Sequence, residues 1–138
     1  MAGSAMLAVK VVSGLLLAYE AGSINQARKK GPPAFRVCEK LREPLMKLMG
    51  SSGFRSLLSR AAAIAAKQSP WLSALSIAPD GTVKIPDESL RTLSRRALEK
   101  GEAALTAEFL GLIATFIGPP LTMRLLHDIW PNSEEIGF

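Results

Sequence analysis

The chain has 138 residues, 48% of them hydrophobic and 21% charged, with 17 Lys+Arg against 12 Asp+Glu. That length and apolar content fit one globular domain with its own core and exclude a chain too polar or too charged to collapse. A single cysteine, Cys38, and a single histidine, His127, exclude an internal disulfide and a two-histidine metal site, and they point to a reducing, cytoplasmic setting.

Met1 to Ala5 read as an expression-vector remnant, with Met6 as the natural start. A secretory signal fits poorly, because Lys10 lies inside the early apolar stretch and Ala18-Tyr19-Glu20 is not a small-residue cleavage site. Ala5, Ala8, Val9, Val12, Leu15, Leu16 and Tyr19 share one arc of a 3.6-residue wheel, with Lys10, Ser13 and Glu20 opposite. This pattern predicts an amphipathic helix ending near Gly22. A basic connector, Ser23 to Lys30, follows, and Gly31-Pro32-Pro33 stops one helix and restarts another.

The second helix is expected from about Pro33 to Met49, with Phe35, Cys38, Leu41, Leu45 and Leu48 apolar and Arg36, Lys40, Glu43 and Lys47 on the other face. Pro44 removes a backbone donor inside it, so a kink or two shorter helices are expected there. Gly50-Ser51-Ser52-Gly53 closes this helix and opens a third, striped by Phe54, Leu57, Leu58, Ala61, Ile64 and Ala65. A short helical turn spans Trp71 to Leu75, and Pro79-Asp80-Gly81 predicts a hairpin-like turn around residues 76–85. Pro86-Asp87 starts the next helix, which Gly101 is expected to divide from its successor.

From Glu102 to Ile117 the wheel is apolar almost all round, with a bulky line of Leu105, Phe109, Leu112 and Phe116 and a small line of Ala103, Ala107, Gly111 and Thr115. Such a helix belongs at the centre of a bundle. The uncharged run from Phe109 to Met123 would extend only about 22 Å as a helix, against a hydrocarbon core of about 30 Å, which argues against a membrane span. Gly118-Pro119-Pro120 bends the chain, Leu121 to Trp130 form a last amphipathic helix, and 131–138 is a polar tail.

Charge is segregated: residues 1–60 carry ten basic and three acidic side chains, the remainder seven and nine. Arg28, Lys29, Lys30, Arg36, Lys40, Arg42 and Lys47 could together meet an anionic partner such as nucleic acid, an acidic protein surface or anionic lipid. A solvated bundle face is the blander reading and the favoured one, since no nucleic-acid motif accompanies the charge. Glu108, the lone charge in the apolar run that follows Glu102, needs a partner, and Arg91, Arg95 or Arg124 could supply it as a buried ion pair. His127 and Asp128 are adjacent on a helix and point about 100° apart, so they do not make two parts of a triad. Gly50 to Gly53 lacks the spacing of a nucleophile elbow, and Cys38 reads as a buried, inert thiol.

The stretches from Cys38 to Leu45 (CEKLREPL), Gly53 to Ala61 (GFRSLLSRA) and Thr115 to Leu126 (TFIGPPLTMRLL), followed by Trp130-Pro131, resemble a family of small bacterial helical proteins with no assigned activity. The resemblance covers about Phe35 to Pro131 and implies a bacterial, mostly helical protein. In that family an acidic residue often follows Phe-Ile-Gly, where this chain has Pro119, which puts the local bend in question. No functional residue carries over.

The sequence therefore predicts an all-α fold, a single helical domain over 1–138 built as a compact bundle of five or six helices with the short hairpin. No cofactor, metal or catalytic group is expected. The functional reading is a self-associating protein interaction module, an adaptor or regulator whose further partner the residues do not name. Its alternative is a peripheral membrane or pore-related protein with a basic N-terminal half. An enzymatic reading would need a small-molecule cleft near Glu108 and His127.

Overall fold

The computed structural model describes residues 12–18, 20 and 32–130. The expectations for Met1 to Ala5, Tyr19, the helix end at Gly22, Arg28, Lys29, Lys30 and the tail from Pro131 lie outside the described residues. Residues 12–18 and 20 are helical and are called here the N-terminal segment. Four α-helices follow: α1 (Pro33–Ala66), α2 (Asp87–Arg91), α3 (Arg95–Ile117) and α4 (Pro119–Ile129). A 3-10 helix (Pro70–Ala74) and an antiparallel pair, β1 (Ser76–Ile77) and β2 (Val83–Lys84), lie between α1 and α2. The fold is all-α, as the periodicity predicts.

Two glycines and a serine set the helix ends. α1 bends at Gly50, whose φ of 79° and ψ of 165° suit a residue without a Cβ, giving two arms, 33–49 and 51–66. The break expected at Gly50–Gly53 falls at Gly50, whereas Pro44 sits inside the first arm without a break in its helical dihedrals. The predicted division at Gly101 is likewise absent. Its helix starts at Ser94, whose Oγ accepts from the Ala97 N–H at 3.1 Å, and it runs unbroken through Gly101. Glycine is required at 101 because a Cβ would lie 2.4 Å from the Trp71 indole, which rests on the helix and donates to the Ala97 carbonyl at 3.2 Å. Gly118 (φ 89°) turns the chain from α3 into α4, with Pro119 at the first helical position.

The arms of α1 lie along α3. Ala34 meets Glu102, the chain runs out to Gly50, and it returns through Phe54, whose ring stands edge-on to Phe109 at 5.8 Å. By Ala65 it shares a cleft wall with Ala103 and Ala104. Leu41, Leu45, Phe54, Leu58, Leu105, Phe109, Ile113 and Leu126 are buried between these helices. At about 1.5–3 kcal/mol per large apolar side chain, this is where most of the stability resides.

The hairpin closes where expected. Ser76 pairs with Lys84 and Ile77 with Val83, and Asp80 Oδ1 accepts from the Thr82 N–H at 2.9 Å. Its tip packs on α1, where Arg42 donates to the Asp80 carbonyl at 3.1 Å and a Cβ on Gly81 would lie 2.6 Å from Met46.

Three faces are rotated from the sequence expectation. Phe116 and Leu48, placed on apolar lines, are 63% and 53% exposed. Ser13 and Glu20, placed on the polar face of the N-terminal segment, are buried with Val12 and Leu16. Arg36, placed on the polar face of α1, is buried as well. The burial of Glu20 and of Arg36 has one cause, described next.

Candidate functional site: a buried charge cluster

The N-terminal segment ends on a carboxylate that has left water completely. Glu20 is 0% exposed, and such a group is tolerated only when donors replace its hydration. The spacing of α1 supplies two of them, because positions four apart lie on one helix face. Arg36 Nε approaches Glu20 Oε1 at 3.3 Å, and Lys40 Nζ bonds to Oε2. Arg36 also donates to the Glu20 backbone carbonyl. A third donor comes from the end of α4, where Trp130 Nε1–H reaches Oε2 at 3.1 Å. Lys40 Nζ stands 5.7 Å from the Trp130 ring centroid, so the ammonium faces both the carboxylate and the aromatic ring.

A second buried carboxylate meets the start of α1. α1 begins at Pro33 after Pro32, and neither proline offers a capping side chain. Glu102, from the first half of α3, takes that role by accepting the Ala34 N–H at 3.0 Å. Burial raises its carboxyl above the ordinary value; the Ala34 N–H pulls it back, neighbouring Glu99 pushes it up, and Arg36 pulls it down. The start of α1 is thus bonded by two carboxylates, one preceding it in the chain and one following it.

The sequence-predicted sites are distributed differently. Arg36 belongs to the interior and cannot be part of an anion-binding surface. Lys40 is committed to Glu20, Arg42 to Glu39 at 2.8 Å, and Lys47 stands 3.7 Å from Glu43. The described part of the basic patch is therefore interlaced with carboxylates. Glu108 is half-buried beside Lys100 and Gln68 in a cleft of about 370 Å³, not in a buried pair with arginine. Of its proposed partners, Arg95 pairs with Glu99 at 3.3 Å, while Arg91 and Arg124 are exposed on α2 and α4. Among the described residues the buried ion pair is Glu20 with Arg36, and the burial cost that was assigned to Glu108 falls on Glu20. His127 and Asp128 are exposed at the end of α4.

Cys38 is buried, and burial first, then the charge of Glu39, pushes its thiol up to about 12. A thiol held protonated in this way is a packing group rather than a nucleophile. Among the described residues no cluster of three or more His, Cys, Asp or Glu could hold a metal ion. No described helix is long and apolar enough to cross a membrane. Sequence reasoning missed Glu20 and Glu102. The available signal for Glu102 was a helix opening on Pro-Pro, which must find its N-terminal acceptor elsewhere.

Comparison with protein-family models, with curated proteins and with solved structures finds no match to this chain.

Proposed function

We propose that the protein is a non-catalytic helical module that works through protein contacts, self-association included. One observation carries this reading. Of the large apolar side chains described, Phe116, Leu121 and Leu48 are the exposed ones, and they lie toward one end of the fold. Phe116 and Leu121 flank the Gly118 corner, and Leu48 immediately precedes the Gly50 bend. From the shared level of Ala34 and Glu102, Leu48 and Phe116 each lie about 21 Å further along their helices. Trp130, at the far end of the returning α4, meets Lys40, which supports this parallel course of the first arm and α3. An apolar end of this kind is stabilised when a partner covers it.

The polar interior favours the same reading. Its buried carboxylates join segments: Glu20 has both oxygens occupied and is sealed from solvent, and Glu102 accepts the Ala34 N–H. Light scattering across a concentration series is expected to show mass rising with concentration in the native chain. The Phe116→Ser/Leu121→Ser double variant should lower that mass to the monomer's. A strict monomer at millimolar concentration would overturn self-association, and binding of the monomer to anionic vesicles would support the peripheral-membrane alternative in its place.

A further inference from the structure

The second arm of α1 borders a groove whose charge no carboxylate of the described fold answers. The groove has a volume of about 510 Å³, with Ala62, Ala63 and Ala66 of α1 on one wall and Leu72, Leu75 and Ile77, from the 3-10 helix to β1, on the other. Ala63 is exposed and Leu75 and Ile77 are half-buried, so part of this apolar lining stands open to water. Both walls come from a stretch without an acidic residue: no Asp or Glu occurs between Glu43 and Asp80, whereas Lys47, Arg55, Arg60 and Lys67 do. Lys47 reaches back to Glu43, but Arg55, Arg60 and Lys67 make no ion pair among the described residues. Arg55 Nε is out of water and has no acceptor there. Arg55 lies one helical turn before Ser59, which lines the groove, and Lys67 one turn after Ala63, so cations stand at both ends of the α1 wall. Arg60, exposed, stands between them.

We infer that this groove is a docking site for an acidic amphipathic helix of another protein, its apolar edge seated between the two walls and its carboxylates on Arg55, Arg60 and Lys67. Shape and charge select this occupant together. The alanine wall lets a helix backbone come close, and Leu72, Leu75 and Ile77 receive its apolar edge. Arg55 to Lys67 spans about 18 Å, the length of roughly three helical turns, which apolar residues at i, i+3, i+4 and i+7 of the partner would fill. Exposed ion pairs are weak singly, so the apolar contact supplies the affinity and the cations choose the sign of the partner. A nucleic acid would meet the cations and leave the apolar wall uncovered, and the lining offers no aromatic ring on which a base could stack. A second copy has the wrong charge, since none of α1, α3 and α4 is net negative. None of Phe116, Leu121 and Leu48 lines the groove, so this docking site is separate from the self-association proposed above and does not rest on it.

Fluorescence anisotropy of labelled synthetic peptides, each of about 16 residues, titrated with the full chain tests this. The first peptide carries Leu at i, i+3, i+4 and i+7 with Glu on both flanks, the second has Lys in place of each Glu, and the third has Ser in place of each Leu. The first is expected to bind saturably, about tenfold tighter than either of the others, and to weaken as salt is raised. Arg60→Glu/Lys67→Glu, a change at two exposed positions, should lower its affinity about tenfold with the thermal midpoint retained. Ala63→Trp fills the groove without altering its charge and should give the same loss, which keeps the test open if the double variant fails to fold. Phe116→Ser/Leu121→Ser should bind the first peptide as the native chain does, so that loss of self-association and loss of docking are read apart. Failure of the first peptide to bind would overturn the docking site. Equal binding of the first and third peptides would overturn it too, because charge alone would then be at work. Tighter binding of a single-stranded oligonucleotide, lost in Arg60→Glu/Lys67→Glu, would give the surface to nucleic acid instead, and a fall in the native mass by light scattering in that variant would give it to a second copy; either result overturns the acidic helix as its occupant.

Discussion

Trp130 Nε1–H donates to Glu20 Oε2 at 3.1 Å, closing a contact between residues 110 positions apart in the chain. Trp130 is 3% exposed and Glu20 is 0% exposed, so neither group can turn to water if the other is lost. Trp130→Phe retains a ring beside Lys40 and removes the donor. A loss of about 1–2 kcal/mol is expected, the usual cost of leaving a buried acceptor one partner short. Urea unfolding measures it, and an unchanged midpoint would show that Arg36 and Lys40 alone satisfy the carboxylate.

Glu102 makes stability depend on pH. Its carboxyl is raised from an ordinary value of 4.5, chiefly by burial. The folded chain therefore keeps the proton to a higher pH than the unfolded chain does. Through that window the folded state binds more protons, and stability falls as pH rises; the contribution is complete below the unfolded value and lost above the folded one. Glu102→Gln retains a carbonyl for the Ala34 N–H and does not titrate. Measured from about pH 4 to 7, the unfolding free energy of this variant should gain steadily on the native chain. Parallel curves would rule out the assignment.

Gly101 separates two effects that usually favour opposite residues. Alanine would raise helix propensity by about 1 kcal/mol, yet its methyl would lie 2.4 Å from the Trp71 ring. Overpacking is expected to prevail, with Gly101→Ala costing about 1–3 kcal/mol. In a Trp71→Ala background the same substitution should be stabilising. A double-mutant cycle by thermal unfolding reads the change of sign, and additivity would remove the proposed contact.

Cys38 should be silent until the chain unfolds. With its thiol near 12, about one molecule in ten thousand carries the thiolate at pH 8. An aromatic disulfide reagent is expected to give no colour with native protein and one equivalent after urea is added. Prompt reaction in buffer would mean that the first arm of α1 opens locally.

The sequence made the helices legible and left their rotation hidden. The stripe Phe54, Leu58, Ala61 and Ala65 is buried as periodicity requires, and Asp80-Gly81 folds into the expected turn, because propensity and burial agree at those positions. Glu20 and Arg36 were placed on solvent faces because a wheel ranks single residues by polarity. What buries them is a pairing between segments 16 residues apart, completed by Trp130, and no periodic pattern encodes that pairing. Phe116 failed in the opposite sense. It extends the line of Leu105 and Phe109 on α3, but the turn at Gly118 leaves it at the corner, where no described segment covers it. Gly101 was misread as a helix divider because its partner, Trp71, lies a whole hairpin and a short helix away. Glu108 drew attention as the lone charge in an apolar run, whereas the carboxylate that caps α1 sits six positions earlier.

The bond between Glu20 and Trp130 also fixes an order of events during synthesis. Residue 20 is made 110 positions before its indole partner, and at roughly 5–20 residues per second the ribosome needs about 5–20 s to cover that distance. Throughout that interval the pocket around Arg36 and Lys40 lacks its far wall. The Glu20 carboxylate therefore gains its third donor only after α1 and α3 have both been made.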